Sequence, residues 1–338
     1  MAQNGCPHVH AACTLSRMLT QQRRPTRLST MRSLVRVGEE ARPATNVTPL
    51  RPGCPLAAGT ARATVSVVSG LDAGRIVPLE GTSLALGRGA ESDLQLEDVE
   101  VSRLHARIVR GSGGSFHLED LGSTNGTFVN TRRATVAPLT DGDRIQLGPG
   151  TLLRFALTDP LDERLQADLY ESSIRDPLTR AFNRRYLSGR LVVEVAHARR
   201  HGVPLAALML DVDHFKHFND RYGHFVGDRI LCFVVAHASR VLRAGDLLAR
   251  FGGDEFVVIA RDTDLDQAAA LGDRMRSAIE GLHMSAGGKL VSITTSMGVG
   301  ALEELAPEAD ADDLLELIDG RLGIAKCEGR NRVCAARR

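Results

Sequence analysis

The residues best equipped for chemistry sit in three places along the chain. Asp254 and Glu255 follow Gly252-Gly253, between the apolar runs 247–251 and 257–260. Two glycines between two strand-like runs predict a tight hairpin, because the turn needs positive φ at little steric cost. Adjacent side chains on a strand alternate faces, so the two carboxylates are expected to point different ways. Asp211 closes the apolar run 204–210, and Lys326 and Arg330 lie four apart at the close of a helical stretch, so both are expected to reach one side. Carboxylate oxygens hold hard divalent cations such as magnesium or manganese, and lysine and arginine neutralise charge on a transferring phosphoryl group. The combination predicts metal-assisted phosphoryl transfer. The chain has no Gly-rich loop ending in Lys-Ser/Thr, so a P-loop enzyme is excluded.

A second constellation lies further forward. Gly87-Arg88, Ser102-Arg103-Leu104-His105 and Ser123-Thr124-Asn125-Gly126-Thr127 offer guanidinium, hydroxyl and amide groups on three loop segments. A guanidinium fork matches phosphate oxygens in a bidentate way that lysine does not, so convergence of these loops would make a phosphate cradle. Each segment alone reads as an ordinary turn.

The elements that must position these groups fall in sequence. Residues 1–62 are rich in Arg, Thr and Pro, carry few acids and show no sustained period, which predicts a disordered tail. Over 63–157, short alternating runs separated by Gly-bearing turns predict a β-sandwich. Leu161, Leu165, Leu169 and Ile174 recur at helical spacing before Pro177, so 158–175 is expected to be a connecting helix. Its apolar stripe is free to pair with a second copy or to pack on either neighbour. Residues 176–336 alternate helices and strands, as an α/β domain should. Here 204–210 is a central buried strand, a helix opens at Gly227-Asp228, and 290–296 is a strand.

Composition bounds the function. The 338 residues suffice for two domains, with 43% hydrophobic and 25% charged residues and a net charge of +1. That balance argues against nucleic acid as the main partner. No apolar run approaches the ~18 residues of a membrane span. Six scattered cysteines without a CxxC pair fit a reducing, cytoplasmic setting.

The order and spacing of Gly87-Arg88, Ser102-Arg103-Leu104-His105 and Ser123-Thr124-Asn125-Gly126-Thr127 resemble the forkhead-associated (FHA) domain, a phosphothreonine reader. The resemblance implies that Arg88, Ser102 and Thr124 meet the phosphate, that Arg103 assists, and that Asn125 holds the ligand backbone. It implies a structural role for His105. The glycine that often follows the family's Val-Asn is replaced by Thr131. The ligand is expected to be a phosphothreonine-containing protein or the chain's own phosphorylated tail, where Thr48 precedes Pro49.

Residues 172–336 resemble the GGDEF family of diguanylate cyclases. The match runs through Asp176-Pro177-Leu178-Thr179, Asp211-Val212-Asp213-His214-Phe215-Lys216, Gly252-Gly253-Asp254-Glu255-Phe256 and Gly329-Arg330-Asn331-Arg332-Val333. The resemblance implies a nucleotidyl-cyclase-like α/β fold around a five-stranded sheet and condensation of two GTP into cyclic di-GMP by a homodimer. Asp211, Asp254 and the Val212 carbonyl are then expected to bind Mg2+ or Mn2+. Asp254 or Glu255 would assist deprotonation. Phe215, Lys216, Lys326 and Arg330 would contact the triphosphate, and Asn219 and Asp228 would read guanine. His224 is either packed or in contact with substrate. Arg243 and Asp246 stand where the family has a product-inhibition motif, with Arg274 as its cross-domain partner. Gly323 replaces the family's tyrosine before Ala325-Lys326. A weak cyclic di-GMP receptor and a phosphopeptide scaffold are the alternatives.

Overall fold

The computed structural model describes residues 61–335, apart from residues 71, 282 and 287–288 and the side chains of 283–286 and 289. The tail expected over residues 1–62, with Thr48, lies outside the described residues but for Ala61 and Arg62.

Eleven short strands form the first part: β1 (Arg62–Val67), β2 (Ile76–Pro78), β3 (Ser83–Gly87), β4 (Leu94–Gln95), β5 (Ala106–Arg110), β6 (Phe116–Asp120), β7 (Thr127–Val129), β8 (Arg132–Arg133), β9 (Val136–Leu139), β10 (Arg144–Leu147) and β11 (Thr151–Thr158). They make two sheets, ordered β2-β1-β11-β10-β7-β8 and β4-β3-β5-β6-β9. Alternation decides which face is inward: Leu153 and Phe155 of β11 are buried, while Arg154 between them is exposed. Val65, Leu86, Ile108, Leu118 and Ile145 complete the same core. The expected sandwich is therefore present. Strands β4, β8 and β9, two to four residues each, were too short to show alternation. The β7–β8 turn puts Asn130 and Thr131 at φ 48° and 72°, the conformation a glycine would adopt more cheaply. Asn130 supports it by donating from Nδ2 to Asp143 Oδ1 at 2.7 Å and accepting from Arg144 N–H at 3.0 Å.

The connecting helix α1 (Pro160–Ile174) starts with Pro at its first position, and Asp159 caps it by accepting from Leu161 N–H at 2.7 Å. Tyr170 donates to Asp72 at 3.0 Å and ties the helix to the sandwich. Leu161, Leu165 and Leu169 stay exposed, at 74%, 56% and 62%.

The remaining elements are β12 (Phe182–Asn183), α2 (Arg184–His201), β13 (Leu205–Val212), α3 (Phe215–Tyr222), α4 (His224–Val241), β14 (Leu247–Gly252), β15 (Glu255–Arg261), α5 (Leu265–Glu280), β16 (His283–Ala286), β17 (Lys289–Ser292), β18 (Thr295–Ala301), α6 (Ala311–Cys327) and β19 (Val333–Cys334). The sheet runs β12-β14-β15-β13-β18-β19. It has six strands rather than the expected five: four longer strands flanked by a two-residue strand at each edge. Every residue of β13 is buried. Ala206, Leu208, Leu210 and Val212 pack with α4 and α5 on one face, and Leu205, Ala207 and Met209 with α2 and α6 on the other.

Three local expectations are corrected. The strand expected over 290–296 is divided between β17 and β18, with Ile293 and Thr294 between them, and Gly298 lies inside β18. The helix expected to open at Gly227-Asp228 starts at His224, because Gly223 at φ 81° breaks α3 from α4. Lys326 and Arg330 do not share a helix face. Helix α6 ends at Cys327, and Arg330 sits beyond it at φ 63°, its N–H donating to Ala325 O at 3.0 Å.

Candidate active site

The hairpin β14–β15 closes as its glycines predict, with Gly253 at φ 46° and a register shift between Arg250 and Gly252. On the neighbouring strand Asp211 lies directly opposite Glu255, so these two carboxylates share a face of the sheet. Asp254 is at the turn, where its carbonyl accepts from Val212 N–H at 3.4 Å. Lys326, projecting from the last turn of α6, places Nζ 2.8 Å from Asp211 Oδ2. Burial pushes the Asp211 carboxyl up to about 6; the Lys326 bond opposes the rise, and the charges of Asp254 and Glu255 add to it. Asp211 therefore sits at a strand end beside Lys326 and within the field of the Asp254 and Glu255 carboxylates.

Among the described residues, no cluster of three or more His, Cys, Asp and Glu stands at metal-ligating spacing. The donors present are the Asp211, Asp254 and Glu255 carboxylates and the Val212 carbonyl. All are hard oxygen donors and suit Mg2+ or Mn2+ rather than a soft metal.

Helix α3 starts just past the end of β13, with half-buried Phe215 and exposed Lys216 in its first turn. Asn219 lies one turn on, over Gly227 of α4. A Cβ at residue 227 would stand 1.9 Å from Asn219 Oδ1, so only glycine admits this amide. Asn219 Oδ1 is buried and has no hydrogen-bond partner in the protein. Such an orphaned acceptor is open to a donor from water or a ligand. His224 and Asp228 are exposed on the first turns of α4.

Asp213, which sequence reasoning left unassigned, is 2% exposed. It accepts from Ser296 Oγ at 2.6 Å, Thr294 Oγ1 at 2.8 Å and the Asn331 N–H at 3.0 Å. Arg250 was missed as well: its guanidinium joins the hairpin turn to Asp176. The sequence signal available was the place of Asp213 inside a family motif and of Arg250 two residues before Gly252-Gly253.

Arg243 and Asp246 close the turn between α4 and β14 on each other. Arg243 N–H donates to Asp246 Oδ2 at 2.8 Å, and Asp246 N–H to Arg243 O at 3.1 Å. The Arg243 side chain is exposed, as is Arg274 on α5. Neighbouring Arg276 is occupied by Glu280 and by Asn331 Oδ1, the latter at 3.2 Å.

In the sandwich the three polar loops converge. Arg88 N–H donates to Ser102 O at 3.0 Å, and Ser102 Oγ accepts from Thr124 N–H at 3.1 Å. Beneath them His105, wholly buried, accepts at Nδ1 from Ser102 N–H at 3.1 Å and has Nε2 3.2 Å from Gly126 O. Burial lowers its pKa and keeps the ring neutral. Gly87 is required because a Cβ there would lie 2.0 Å from Arg103 O. Asn125 Nδ2 donates to Glu100 O at 2.8 Å and Oε2 at 2.9 Å, and Arg103 is exposed. Arg88 Nε is buried without a protein partner. Arg88 lines a cleft whose other wall includes Arg190, Glu194 and His197 of α2 and Arg261 of β15. Across that cleft Glu97 pairs with Arg190 and, at 3.5 Å, with Arg261, and both arginines also bond Glu194.

Residues 173–332 match the family described as "Diguanylate cyclase, GGDEF domain", and residues 84–148 match the FHA domain. Diguanylate cyclase DgcP of Pseudomonas aeruginosa is 40% identical over 166 residues, 49% of this chain and 24% of that protein. Response regulator PleD of Caulobacter vibrioides is 38% identical over 183 residues, 53% of this chain and 39% of that protein. The chain thus spans well under half the length of these curated relatives. The GGDEF domain of DgcB from Caulobacter crescentus, solved in complex with c-di-GMP, is 30% identical, covering 49% of this chain and 94% of that one with a TM-score of 0.47. Among the described residues, no helix is long and apolar enough to cross a membrane.

Proposed function

From a chain whose residues 173–332 are a GGDEF domain and whose residues 84–148 are an FHA domain, we propose a diguanylate cyclase that condenses two GTP into cyclic di-GMP. Each 3′-oxygen attacks the α-phosphorus of the other nucleotide, the bond to the β-phosphate oxygen breaks, and pyrophosphate leaves. The observation that carries this reading is the buried Asp211, opposite Glu255 and 2.8 Å from Lys326 Nζ, at the mouth of the Gly252-Gly253 hairpin. It supports the reading because a carboxylate suited to a cation and an ammonium suited to phosphate stand side by side.

Asp211, Asp254 and the Val212 carbonyl would hold Mg2+ or Mn2+, which would offset the phosphate charge. Asp254 or Glu255 takes the 3′-hydroxyl proton. Phe215 and Lys216 flank the triphosphate, while Lys326 and Arg330 grip its outer phosphates. Asn219 and Asp228 select guanine. A carboxylate accepts from guanine N1–H and the exocyclic amine, and the unpartnered Asn219 Oδ1 supplies a further acceptor. His224 lies at the edge of this group. Because one domain holds one GTP, two copies must meet face to face, and the exposed Leu161, Leu165 and Leu169 stripe offers a surface for a homodimer.

Two controls accompany the reaction. Arg88, Ser102, Arg103, Thr124 and Asn125 bind a phosphothreonine on a partner or on the chain's own tail. Because Arg88 shares its cleft with α2, occupancy there bears on the catalytic domain. Arg243, Asp246 and Arg274 form a product site that limits turnover.

Incubation of the purified chain with GTP and magnesium, with products separated by mass, tests the reading. Cyclic di-GMP is expected from the wild type and none from Asp254→Ala at matched folding by circular dichroism. Equal product from both proteins would refute the assignment.

A further inference from the structure

Arg330 and Asn331 stand one after the other in the left-handed region, at φ 63° and 47°. Neither is glycine, and consecutive left-handed L-residues persist only where surrounding bonds over-determine them. Here the bonds come from three directions. Asp213, at the end of the strand that carries Asp211, accepts the Asn331 N–H at 3.0 Å. From α5, Glu280 Oε1 accepts from Asn331 Nδ2 at 2.8 Å and Arg276 Nη1 donates to Asn331 Oδ1 at 3.2 Å. On the α6 side, Ala325 O accepts the Arg330 N–H at 3.0 Å.

Both oxygens of the Asp213 carboxylate are engaged within the protein. Oδ1 takes Ser296 Oγ, and Oδ2 takes both Thr294 Oγ1 and the Asn331 N–H, in a site 2% exposed. The two acids of Asp211-Val212-Asp213 therefore divide the work. Asp211 faces the hairpin carboxylates and Lys326, while Asp213 faces the turn that bears Arg330.

We infer that Asp213 and Asn331 are positioning residues that hold the Arg330–Asn331 turn in its left-handed form and so aim Arg330 at the triphosphate. The inference deepens the reading given above and rests on it for the identity of the nucleotide. Neither residue touches substrate; each acts through Arg330. Asn331 also joins that turn to α5, the helix that carries Arg274.

The test measures GTP affinity by calorimetry with magnesium, alongside KM and kcat, for the full chain. Asn331→Ala is expected to weaken GTP binding about tenfold, an effect the size of one or two hydrogen bonds. Asn331→Gly, which keeps the left-handed backbone accessible, should recover part of that loss. In an Arg330→Ala background, Asn331→Ala should add less than about a twofold loss, because it has nothing left to position. Fully additive losses, or a wild-type KM in Asn331→Ala, overturn the inference. Asp213→Asn, judged beside its melting temperature, should follow the same non-additive pattern. GTP binding without cyclic product would overturn the cyclase reading while the binding cycle still decides the turn. A wild type that binds no GTP overturns both.

Discussion

Arg250 spans the β14–β15 hairpin and the start of its domain. Nε and Nη2 donate to Gly253 O at 3.0 and 2.8 Å, while Nη1 lies 3.2 Å from both Asp176 oxygens. Asp176 in turn accepts from Thr179 N–H and Oγ1, and it follows Arg175, the C-terminal cap of α1. One guanidinium thus fixes the turn carrying Asp254 and ties it to the exit of the connecting helix. Arg250→Ala is expected to lower turnover at least tenfold while the melting temperature falls by only a few degrees. The charge-assisted bonds it loses are worth ~1.5–3 kcal/mol, and the core beneath is untouched. Steady-state kinetics beside a thermal melt checks this, and an unchanged kcat would leave Arg250 as a surface tie only.

The polar loops that converge on the sandwich carry an acid of their own. Burial would raise the Asp120 carboxyl, but bonds from Ser123 Oγ, Thr127 Oγ1 and the Ser123 and Gly122 N–H groups outweigh it and hold it at about 2. Because the folded value lies below the ordinary 3.8, the acid binds fewer protons folded than unfolded. Its stabilisation is complete above pH ~4 and fades as the pH falls toward 2. Between pH 5 and pH 2.5 the wild-type sandwich should lose stability faster than Asp120→Asn, measured by urea unfolding at each pH. Parallel slopes would show that Asp120 is not the group responsible.

What the sequence disclosed and what it withheld follow from range. The Gly252-Gly253 turn, the buried β13 and the alternating β11 are written in local pattern, so hairpin, central strand and sandwich were legible. The Arg330 turn was not: a run of Lys326 to Arg330 reads as one more helical turn. Gly329 at φ 113° ends the helix locally, with the Arg330 N–H on Ala325 O, whereas the turn beyond it is held by Asp213, 118 positions away from Asn331. Similarly, Arg250 reads as a strand residue until Asp176, 74 positions earlier, is brought beside it. Asn219 was named for guanine by resemblance alone, whereas its orphaned oxygen and its fit over Gly227 appear only in three dimensions.

Glu97, Arg190, Glu194 and Arg261 should contribute unequally. The Arg190 and Glu194 side chains are 4% and 7% exposed, while Glu97 is 25% exposed. Removing Arg190 strips a buried carboxylate of one cation, so Arg190→Ala is expected to cost ~3 kcal/mol. Glu97→Ala removes a better hydrated partner and leaves the arginines with Glu194, for a cost of about 1 kcal/mol. Urea denaturation of both variants distinguishes these values. Equal costs would mean that the contact between sandwich and α2 matters as much as the buried pair.

Two glycines near Lys326 are expected to respond to alanine in opposite directions. Gly298 lies in β18 under α6, and a Cβ there would meet Ile318 O at 2.0 Å and Leu322 N at 2.3 Å. Both atoms belong to helix backbone, which cannot rotate aside, so Gly298→Ala must push α6 off the sheet. That helix buries Leu314, Ile318 and Leu322 and carries Lys326 to Asp211. The expected cost is ~3 kcal/mol or more, with loss of product even where the protein still folds. Gly323, which stands where the family has a tyrosine, has nothing within 4 Å of its would-be Cβ, and its backbone is ordinary helix. Alanine there fills open space and restricts the unfolded chain, so Gly323→Ala should stabilise by about 1 kcal/mol and leave the Lys326–Asp211 pair in place. Thermal melts and cyclic di-GMP assays of the two variants give the comparison. A destabilised Gly323→Ala would mean that α6 uses this glycine for a close contact with a second copy of the chain.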